Sequence, residues 1–282
     1  MKKQLVYIIA TLVLLLSACA DDGEKETTFK EKEEPTTTED EADDENAVND
    51  EESEGEETED ESEEIVEEEV VEKLYEVDAN WYFKPIGEAN PKAVLLTIDD
   101  APDKHSLDMA KTLKELDAPA IFFVNGHFID TDEDKAVLKE IYEMGFAIGN
   151  HTKTHPNLQQ ISEAEQEDEI ISVSNTVEEV IGERPMFFRA PFGLNTDFSR
   201  ELVKNDGMLL MNWSYGYDWE KQYLEAGPLA DIMVNNDSLR DGANLLMHDR
   251  EWTAEALKDI VEGLRAKGYD LIDPATIQGV EQ

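Results

Sequence analysis

The chain has 282 residues and a formal net charge of −44 at pH 7, with 68 acidic residues against 24 lysines and arginines. This length is enough for one domain with a full hydrophobic core plus additional segments. The charge argues against nucleic acid as a partner, because phosphate backbones are bound by clustered lysines and arginines. A strongly acidic surface also disfavours self-association, so we expect a monomer. The one cysteine, Cys19, excludes an intramolecular disulfide.

The N-terminus has the features of an export signal. Lys2 and Lys3 form a basic start, and residues 5–16 are an almost unbroken apolar run. The run is short for a bilayer span, so it predicts a signal peptide over residues 1–19. The letters LSAC at 16–19 are similar to a bacterial lipobox, whose cysteine receives a lipid. We therefore expect lipidation at Cys19 and anchoring at the outer face of the cytoplasmic membrane, facing the cell wall; the alternative is an ordinary cleavage site.

Residues 20–75 consist mainly of Glu, Asp, Thr, Ser and Asn, with hardly any large apolar side chain. Between Asp21 and Glu72 there are 28 acidic residues and three lysines. Such a segment cannot bury enough surface to offset the chain entropy that folding costs, and its charges repel one another. We predict a disordered acidic tether over 20–75 and a folded domain over 76–282.

Beyond Trp81 the sequence alternates between short apolar runs and amphipathic stretches. The apolar runs predict seven strands, at 93–98, 120–124, 146–149, 186–189, 208–213, 243–247 and 269–272. The amphipathic stretches predict helices. The first has Leu107, Ala110, Leu113 and Leu116 on one face. The others are predicted at 134–144, in a long segment that starts at Ser162, at 196–205, at 226–236 and in a segment that ends at Ala266. Glu165 follows Ser162 at the spacing of a capping box.

Alternating strands and helices of this kind predict an α/β fold with a parallel sheet. Strands this apolar need cover on both faces, which suits a TIM-like (β/α) barrel surrounded by helices. A doubly wound open sheet has a similar pattern, and periodicity alone does not separate the two folds.

Polar residues follow the C-terminal ends of five predicted strands. They are Asp99 and Asp100 after the first strand, His151 and His155 after the third, Arg189 at the end of the fourth, Asp218 and Trp219 after the fifth, and His248 after the sixth. In a parallel barrel these ends face one mouth, where active sites are built. Residues far apart in sequence are therefore expected to share one pocket.

A metal site is the first chemistry that these residues suggest. His151 and His155 are four residues apart with no apolar residue between them. Two imidazoles and one carboxylate are a common ligand set for catalytic zinc, and either Asp99 or Asp100 could supply the carboxylate. The alternative is that the histidines are hydrogen-bonded loop residues and the aspartates form a turn or cap a helix.

His248 is a candidate general acid, because an imidazole titrates near neutral pH and this one directly follows an apolar strand. Asp218 could hold its ring and raise its basicity, and Arg189 could pair with a catalytic carboxylate. A structural histidine is the alternative. The two remaining histidines, His105 and His127, are expected in loop or surface positions.

Five short motifs occur together in a familiar order: TIDD at 97–100, HTKTH at 151–155, RAPFG at 189–193, YDW at 217–219 and LMH at 246–248. This set, within residues 93–275, resembles the polysaccharide deacetylases of carbohydrate esterase family 4. The resemblance implies a distorted (β/α)7 barrel and metal-dependent removal of N-acetyl groups from amino-sugar polymers. It also implies one divalent metal, with Zn2+ as the first candidate and Co2+ or another first-row ion as the alternative.

The resemblance implies a role for each matching residue at the metal. Asp99 looks like the catalytic base, and Arg189 looks like the residue that orients this base. Asp100, His151 and His155 look like the metal ligands. These roles follow from the positions of the residues in the motifs.

The same resemblance assigns the acid and the substrate-binding residues. His248, partnered by Asp218, is implied to protonate the leaving amine. The backbone N–H of Phe192 is implied to stabilise the oxyanion, and Trp219 and Leu246 are implied to form the wall of the acetyl pocket.

The sequence departs from the family pattern at three positions, none of which is a metal ligand or part of the acid–base pair. Ala101 stands where glycine is usual, Tyr215 where a further aspartate is common, and Phe192 where tyrosine is common. Because the implied role of Phe192 belongs to its backbone, an active enzyme is expected.

The membrane anchor and the family together suggest cell-wall peptidoglycan as the acetylated amino-sugar polymer on which the protein acts. The alternatives are chitin oligomers, an exopolysaccharide or O-acetylated xylan. A different class of function is a catalytically silent module that binds glycan. The presence of both a base and an acid argues against that class, because a binding module needs neither.

Overall fold

A computed structural model of the protein describes residues 71–280. The predicted signal peptide with Cys19 and most of the predicted tether lie outside these residues. The strands are β1 (Tyr75–Val77), β2 (Phe83–Pro85), β3 (Ala93–Ala101), β4 (Ile121–Val124), β5 (Ala147–Asn150), β6 (Phe187–Phe188), β7 (Leu209–Leu210), β8 (Asn244–His248) and β9 (Asp270–Leu271). The α-helices are α1 (Ser106–Glu115), α2 (Asp132–Glu143), α3 (Glu163–Ile181), α4 (Asp197–Asn205), α5 (Ala226–Asn235) and α6 (Glu251–Ala266).

Seven of these strands form one parallel sheet in the order β7-β6-β5-β4-β3-β8, with β9 paired to the start of β3. Each corresponds to one of the seven predicted apolar runs. The sheet is curled and flanked by helices, so the predicted (β/α)7 barrel is confirmed. The first six residues of β3 are buried, and all but Thr97 are apolar, because the sheet is covered on both faces.

The barrel is distorted at the gap between β7 and β8. In the described chain, β7 pairs only with β6, and the segment that follows it crosses over to β8. There Tyr215 forms an isolated bridge with Leu245, and the Leu246 N–H donates to the Tyr215 carbonyl at 2.8 Å. The carboxyl edge of the barrel is therefore completed by a loop, and this loop carries Asp218 and Trp219 into the mouth.

Three of the predicted strands are shorter than their apolar runs by two residues or more. β6, β7 and β9 each have two residues, although the runs at 186–189, 208–213 and 269–272 are longer. The ladder nevertheless continues past β6 and β7, because Arg189 N–H donates to the Asn150 carbonyl at 3.0 Å and Met211 N–H to the Phe188 carbonyl at 2.9 Å.

A small antiparallel pair, β1 and β2, precedes the barrel and was not predicted. Leu74 N–H donates to the Thr276 carbonyl at 2.8 Å, and the buried Tyr75 donates its hydroxyl to the Asn90 carbonyl at 3.0 Å. The Leu74–Thr276 bond ties the beginning of the folded unit to its end, and both contacts start slightly before the predicted boundary at residue 76.

The long helix α3 begins where its sequence signal places it. The predicted capping box at Ser162 is present, with the Ser162 side chain accepting from Glu165 N–H and the Glu165 side chain accepting in return. Thr196 caps α4 in the same way with Ser199. None of the helices within residues 71–280 is long and apolar enough to cross a membrane.

Candidate metal and catalytic site

A cavity of about 460 Å³ opens at the carboxyl ends of the strands, as predicted for a parallel barrel. Its walls are formed by Asp99, Asp100, His151, His155, Ala190, Phe192, Trp213, Asp218, Trp219, Leu246, His248, Arg250 and Trp252. Nine of the ten predicted site residues of the domain are in this set. The tenth, Arg189, is buried behind it and bonds to Asp99.

The end of β3 places two successive carboxylates in the same cavity. Side chains normally alternate along a strand, which would send Asp99 and Asp100 to opposite faces. Here the pairing of β3 with β4 is irregular between Ile98 and Ala101, and Asp100 has a φ of 59°. This left-handed conformation is one that aspartate adopts more readily than most residues. It turns the second carboxylate back towards the first.

The three predicted metal ligands lie together. Asp100 Oδ1 is 3.9 Å from His151 Nε2 and 3.8 Å from His155 Nε2, and the candidate ligand atoms all lie within 4.8 Å of one another. Tetrahedral zinc with bonds near 2.1 Å separates its ligand atoms by about 3.4 Å, so a small inward movement would complete the set. The carboxylate that faces both imidazoles belongs to Asp100.

His151 is held in the protonation state that a metal ligand needs. Its Nδ1 lies 2.7 Å from the Arg189 carbonyl, which can only accept a hydrogen bond, so Nδ1 carries the proton. Burial lowers the pKa of His151 despite the nearby charges of Asp99 and Asp100, which raise it. A neutral ring with Nε2 unprotonated is the form that binds metals, and a carbonyl behind Nδ1 is a usual support for it. The donor set therefore fits a divalent metal such as zinc.

The predicted base, Asp99, is fixed by a buried arginine. Arg189 Nη1 donates to Asp99 Oδ1 at 2.6 Å and to Thr97 Oγ1 at 2.8 Å. The guanidinium also lies over the Phe123 ring, 4.3 Å from its centroid. This ring fits because the neighbouring strand has Gly149, where a Cβ would come within 2.5 Å of it. Arg189 is fully buried, so it acts on Asp99 and cannot reach a substrate.

The predicted acid, His248, is held by Asp218 through two hydrogen bonds. Asp218 Oδ1 lies 2.7 Å from His248 Nδ1, and Asp218 Oδ2 accepts from the His248 backbone N–H at 2.6 Å. Thr253 Oγ1 donates to the same Oδ2 at 2.9 Å. Burial lowers the pKa of His248, but the charge and hydrogen bond of Asp218 outweigh it, so the pKa is raised. The ring is thereby prepared to carry a proton into the cavity.

Aromatic side chains form the outer wall of the cavity. Phe192 and Trp219 are 61% and 46% exposed, which is unusual for large apolar residues and marks a surface that a ligand can cover. Trp219 packs edge-on against His248 at 5.7 Å between ring centroids, and against Trp213 at 6.3 Å. Leu246 lies at the buried side of the same wall.

Two residues directly after His248 contact the site and were not predicted. The buried Asp249 accepts from the backbone N–H groups of Asp103, His105 and Ser106, and so fixes the loop that follows β3. Arg250 Nη2 donates to Asp100 Oδ2 at 2.6 Å. The signal was available, because both residues follow the sixth strand at the same carboxyl edge that identified His248.

The other two histidines lie outside the site, as predicted. His105 immediately precedes α1, and its backbone rather than its ring contacts Asp249. His127 is exposed, with Nδ1 2.9 Å from the Lys153 carbonyl.

A parallel barrel with an Asp-His-His cluster, an Asp–Arg pair and an Asp–His pair at its carboxyl edge has the side chains that a metal-dependent hydrolase uses. Residues 86–211 match the family described as polysaccharide deacetylase. The chain is 30% identical over 202 residues to a chitooligosaccharide deacetylase of Azorhizobium caulinodans, covering 64% of this chain and 92% of that protein. The chain belongs to the polysaccharide deacetylase family.

Other similar proteins include cell-wall deacetylases. A peptidoglycan-N-acetylglucosamine deacetylase of Bacillus cereus is 29% identical over 191 residues, which are 64% of this chain and 66% of that protein. The structure of peptidoglycan deacetylase PdaC from Bacillus subtilis superposes with a TM-score of 0.59 at 28% identity, covering 66% of this chain and 91% of that chain. A family 4 pseudoenzyme from Bacillus anthracis also superposes, with a TM-score of 0.60, 26% identity and coverage of 67% and 68%.

Proposed function

We propose that the protein is a metal-dependent N-deacetylase that hydrolyses acetamido groups of an amino-sugar polymer, with cell-wall peptidoglycan as its substrate. One observation carries this proposal: Asp99, which Arg189 holds from behind, and His248, which Asp218 holds, open into one cavity together with the Asp-His-His cluster. Hydrolysis of an amide is helped by a base, an acid and a metal together, because an amide is a weak electrophile with a poor leaving group.

The chemistry is the addition of water to the acetyl carbon and cleavage of the C–N bond. Asp99 accepts a proton from the attacking water, while Arg189 keeps its carboxylate oriented. His248 donates a proton to the sugar nitrogen as the bond breaks, so that acetate and a free amine are released. A divalent ion held by Asp100, His151 and His155 would supply a Lewis acid for the carbonyl oxygen.

The carbonyl oxygen gains negative charge during this reaction, and a backbone donor can stabilise it. Phe192 lies in a tight turn at Pro191–Gly193 with a φ of 59°, beside the ligand His155 at 4.9 Å between ring centroids. In our proposal its N–H is the oxyanion donor. Such a donor is typically worth about 3 kcal/mol of barrier.

A polymer substrate is supported by a second groove beside the cavity. This groove of about 490 Å³ shares Trp213 and Trp219 with the first and adds Tyr82 and Tyr217. Aromatic faces flanked by polar groups suit sugar rings, whose C–H faces are apolar and whose edges carry hydroxyls. A sugar next to the deacetylated one would therefore find a wall to stack on.

Peptidoglycan is the proposed substrate because a lipid on Cys19 would hold the enzyme at the outer face of the membrane, where the wall lies. The names of the B. cereus and B. subtilis relatives agree with this choice. Chitin oligomers, an exopolysaccharide and O-acetylated xylan are the alternatives. A catalytically silent glycan-binding module is the alternative of a different class, and the relatedness to a pseudoenzyme gives it a basis.

The test is acetate release by the chain lacking residues 1–19, from purified peptidoglycan and from chitin oligomers. We expect release after reloading a metal-stripped sample with zinc, and loss of both zinc binding and release in His151→Ala. His127→Ala is the matched control, because this histidine is exposed and outside the cavity. Zinc binding without release from any acetylated glycan would favour the silent module, and release only from chitin oligomers would exclude peptidoglycan as the substrate.

The pH dependence tests the role of His248. A general acid must be protonated, so kcat/KM is expected to fall as the pH rises through the raised pKa of His248. Asp218→Asn removes the charge that raises this pKa, so the pKa falls and the alkaline limb of the profile moves to lower pH. The exposed Asp259→Asn is the control. An alkaline limb that stays in place in Asp218→Asn would show that another group is the acid.

A further inference from the structure

Arg250 lines the cavity, but the proposed reaction does not use it. It occupies the N-terminal boundary of α6, where its side chain makes no hydrogen bond to the helix. Its Nη1 donates to the Asp249 carbonyl at 2.7 Å, and its Nη2 donates to Asp100 Oδ2 at 2.6 Å. The guanidinium is thus fixed at two points, one of which is the carboxylate of the metal-binding cluster.

The two carboxylate oxygens of Asp100 have different surroundings. Oδ1 faces His151 Nε2 and His155 Nε2 at 3.9 and 3.8 Å, whereas Oδ2 is bonded to Arg250. A carboxylate can bind a metal through one oxygen or through both. An arginine on one oxygen forms a short, charge-assisted hydrogen bond and withdraws that oxygen from the metal.

From this division we infer that Arg250 is a positioning residue that restricts Asp100 to a single ligand oxygen, Oδ1. A catalytic metal site needs an open position, which the second oxygen would otherwise occupy. This inference rests on the proposed metal site. The neighbouring Asp99 shows the same division, because Arg189 holds its Oδ1 and leaves its Oδ2 3.5 Å from His151 Nε2.

Two effects of removing Arg250 act in the same direction on metal affinity. Asp100 gains a second oxygen for the ion, and a positive charge close to a dication disappears. The charge effect alone is roughly tenfold in a water-like dielectric, which is appropriate because the Arg250 side chain is 37% exposed. A residue that merely supported Asp100 would have the opposite effect, since loss of such a support typically weakens metal binding by about 10- to 100-fold.

The experiment replaces Arg250 by methionine, which keeps much of the side-chain length without the charge. The chain lacking residues 1–19 is loaded with Co2+, whose visible absorption weakens as its coordination number rises. Zinc affinity is measured by competition with a chromophoric chelator, and acetate release is measured in parallel. Arg250→Lys keeps the charge, and Arg200→Met removes a charge from an exposed position on α4. Circular dichroism verifies folding.

We expect Arg250→Met to show weaker cobalt absorption, zinc binding about tenfold tighter than in the original chain and slower acetate release. Arg250→Lys and Arg200→Met should retain the original spectrum. An unchanged spectrum in Arg250→Met, or weaker zinc binding, would overturn the inference while leaving the proposed function intact. If the original chain binds neither cobalt nor zinc, the metal site itself fails and this inference fails with it.

Discussion

Replacing Asp99 by asparagine is expected to lower acetate release by roughly 100- to 10,000-fold, the usual range for loss of a general base. The amide keeps the shape of the side chain but cannot accept a proton from water. Zinc should remain bound, because the oxygen that faces both imidazoles belongs to Asp100. Acetate release and zinc affinity measured on one sample separate the two roles.

Asp103→Asn is the matched control, because it is the same change four residues away on an exposed side chain. It should leave acetate release close to that of the original chain. If Asp99→Asn lost zinc as completely as His151→Ala, Asp99 would be a ligand and the roles of the two aspartates would be exchanged. If it stayed fully active, the base would lie elsewhere.

Much of the fold follows from local sequence signals. β3, β4, β5 and β8 each contain a short run of buried apolar residues, since the sheet is covered on both faces. The start of α3 follows from Ser162 and Glu165, whose side chains satisfy N–H groups that the first turn leaves unpaired. These signals are local in sequence, so they can be recognised without knowing the fold.

The site could be predicted only in part from the residues themselves. The rule that strand ends share one mouth located the aspartates, the histidines and Arg189, but it left open which carboxylate faces the metal. In the structure the Asp100 carboxylate lies near both imidazoles, and this arrangement depends on backbone conformation, because Asp100, Thr152, His155 and Phe192 all have positive φ. Sequence rules reserve positive φ mainly for glycine. Side chains in such a conformation cluster at functional sites, where the surrounding structure enforces them.

Contacts between residues far apart in the sequence could not be predicted either. Arg250 and Asp100 are 150 residues apart, and no periodicity links them. The β1–β2 pair escaped prediction because its three-residue strands are too short to show alternation. Contacts of this kind depend on how the barrel closes.

Two aspartates of this site have different hydrogen-bond partners, and in the proposed reaction this difference separates their roles. Asp99 is paired with an arginine, which has no lone pair for a proton, so in the proposed reaction the carboxylate serves as the base. Asp218 is paired with a histidine, so the proton is held on the imidazole. In the proposed reaction these different partners let Asp99 act as the base and His248 as the acid.

Replacing Arg189 by methionine is expected to lower the free energy of unfolding by about 3–5 kcal/mol, the usual cost of breaking a buried ion pair from one side. Asp99 would keep its charge in the interior without the guanidinium that balances it. Thr97 Oγ1 and the Asn212 carbonyl would lose a donor as well. Urea unfolding followed by circular dichroism measures the change.

Arg184→Met is the control that isolates burial as the cause. Arg184 also bonds two side-chain carboxylates, Glu178 at 2.7 Å and Asp206 at 2.6 Å, but its side chain is 32% exposed. Solvent screening should limit the loss there to about 1 kcal/mol. Adding Asp99→Asn to Arg189→Met should recover part of the lost stability, because the unpaired charge is then gone. Two results would contradict the charge explanation: equal losses of stability in Arg184→Met and Arg189→Met, or no recovery of stability in the double variant. Either would mean that Arg189 stabilises the barrel through its packing on Phe123 and not through its charge.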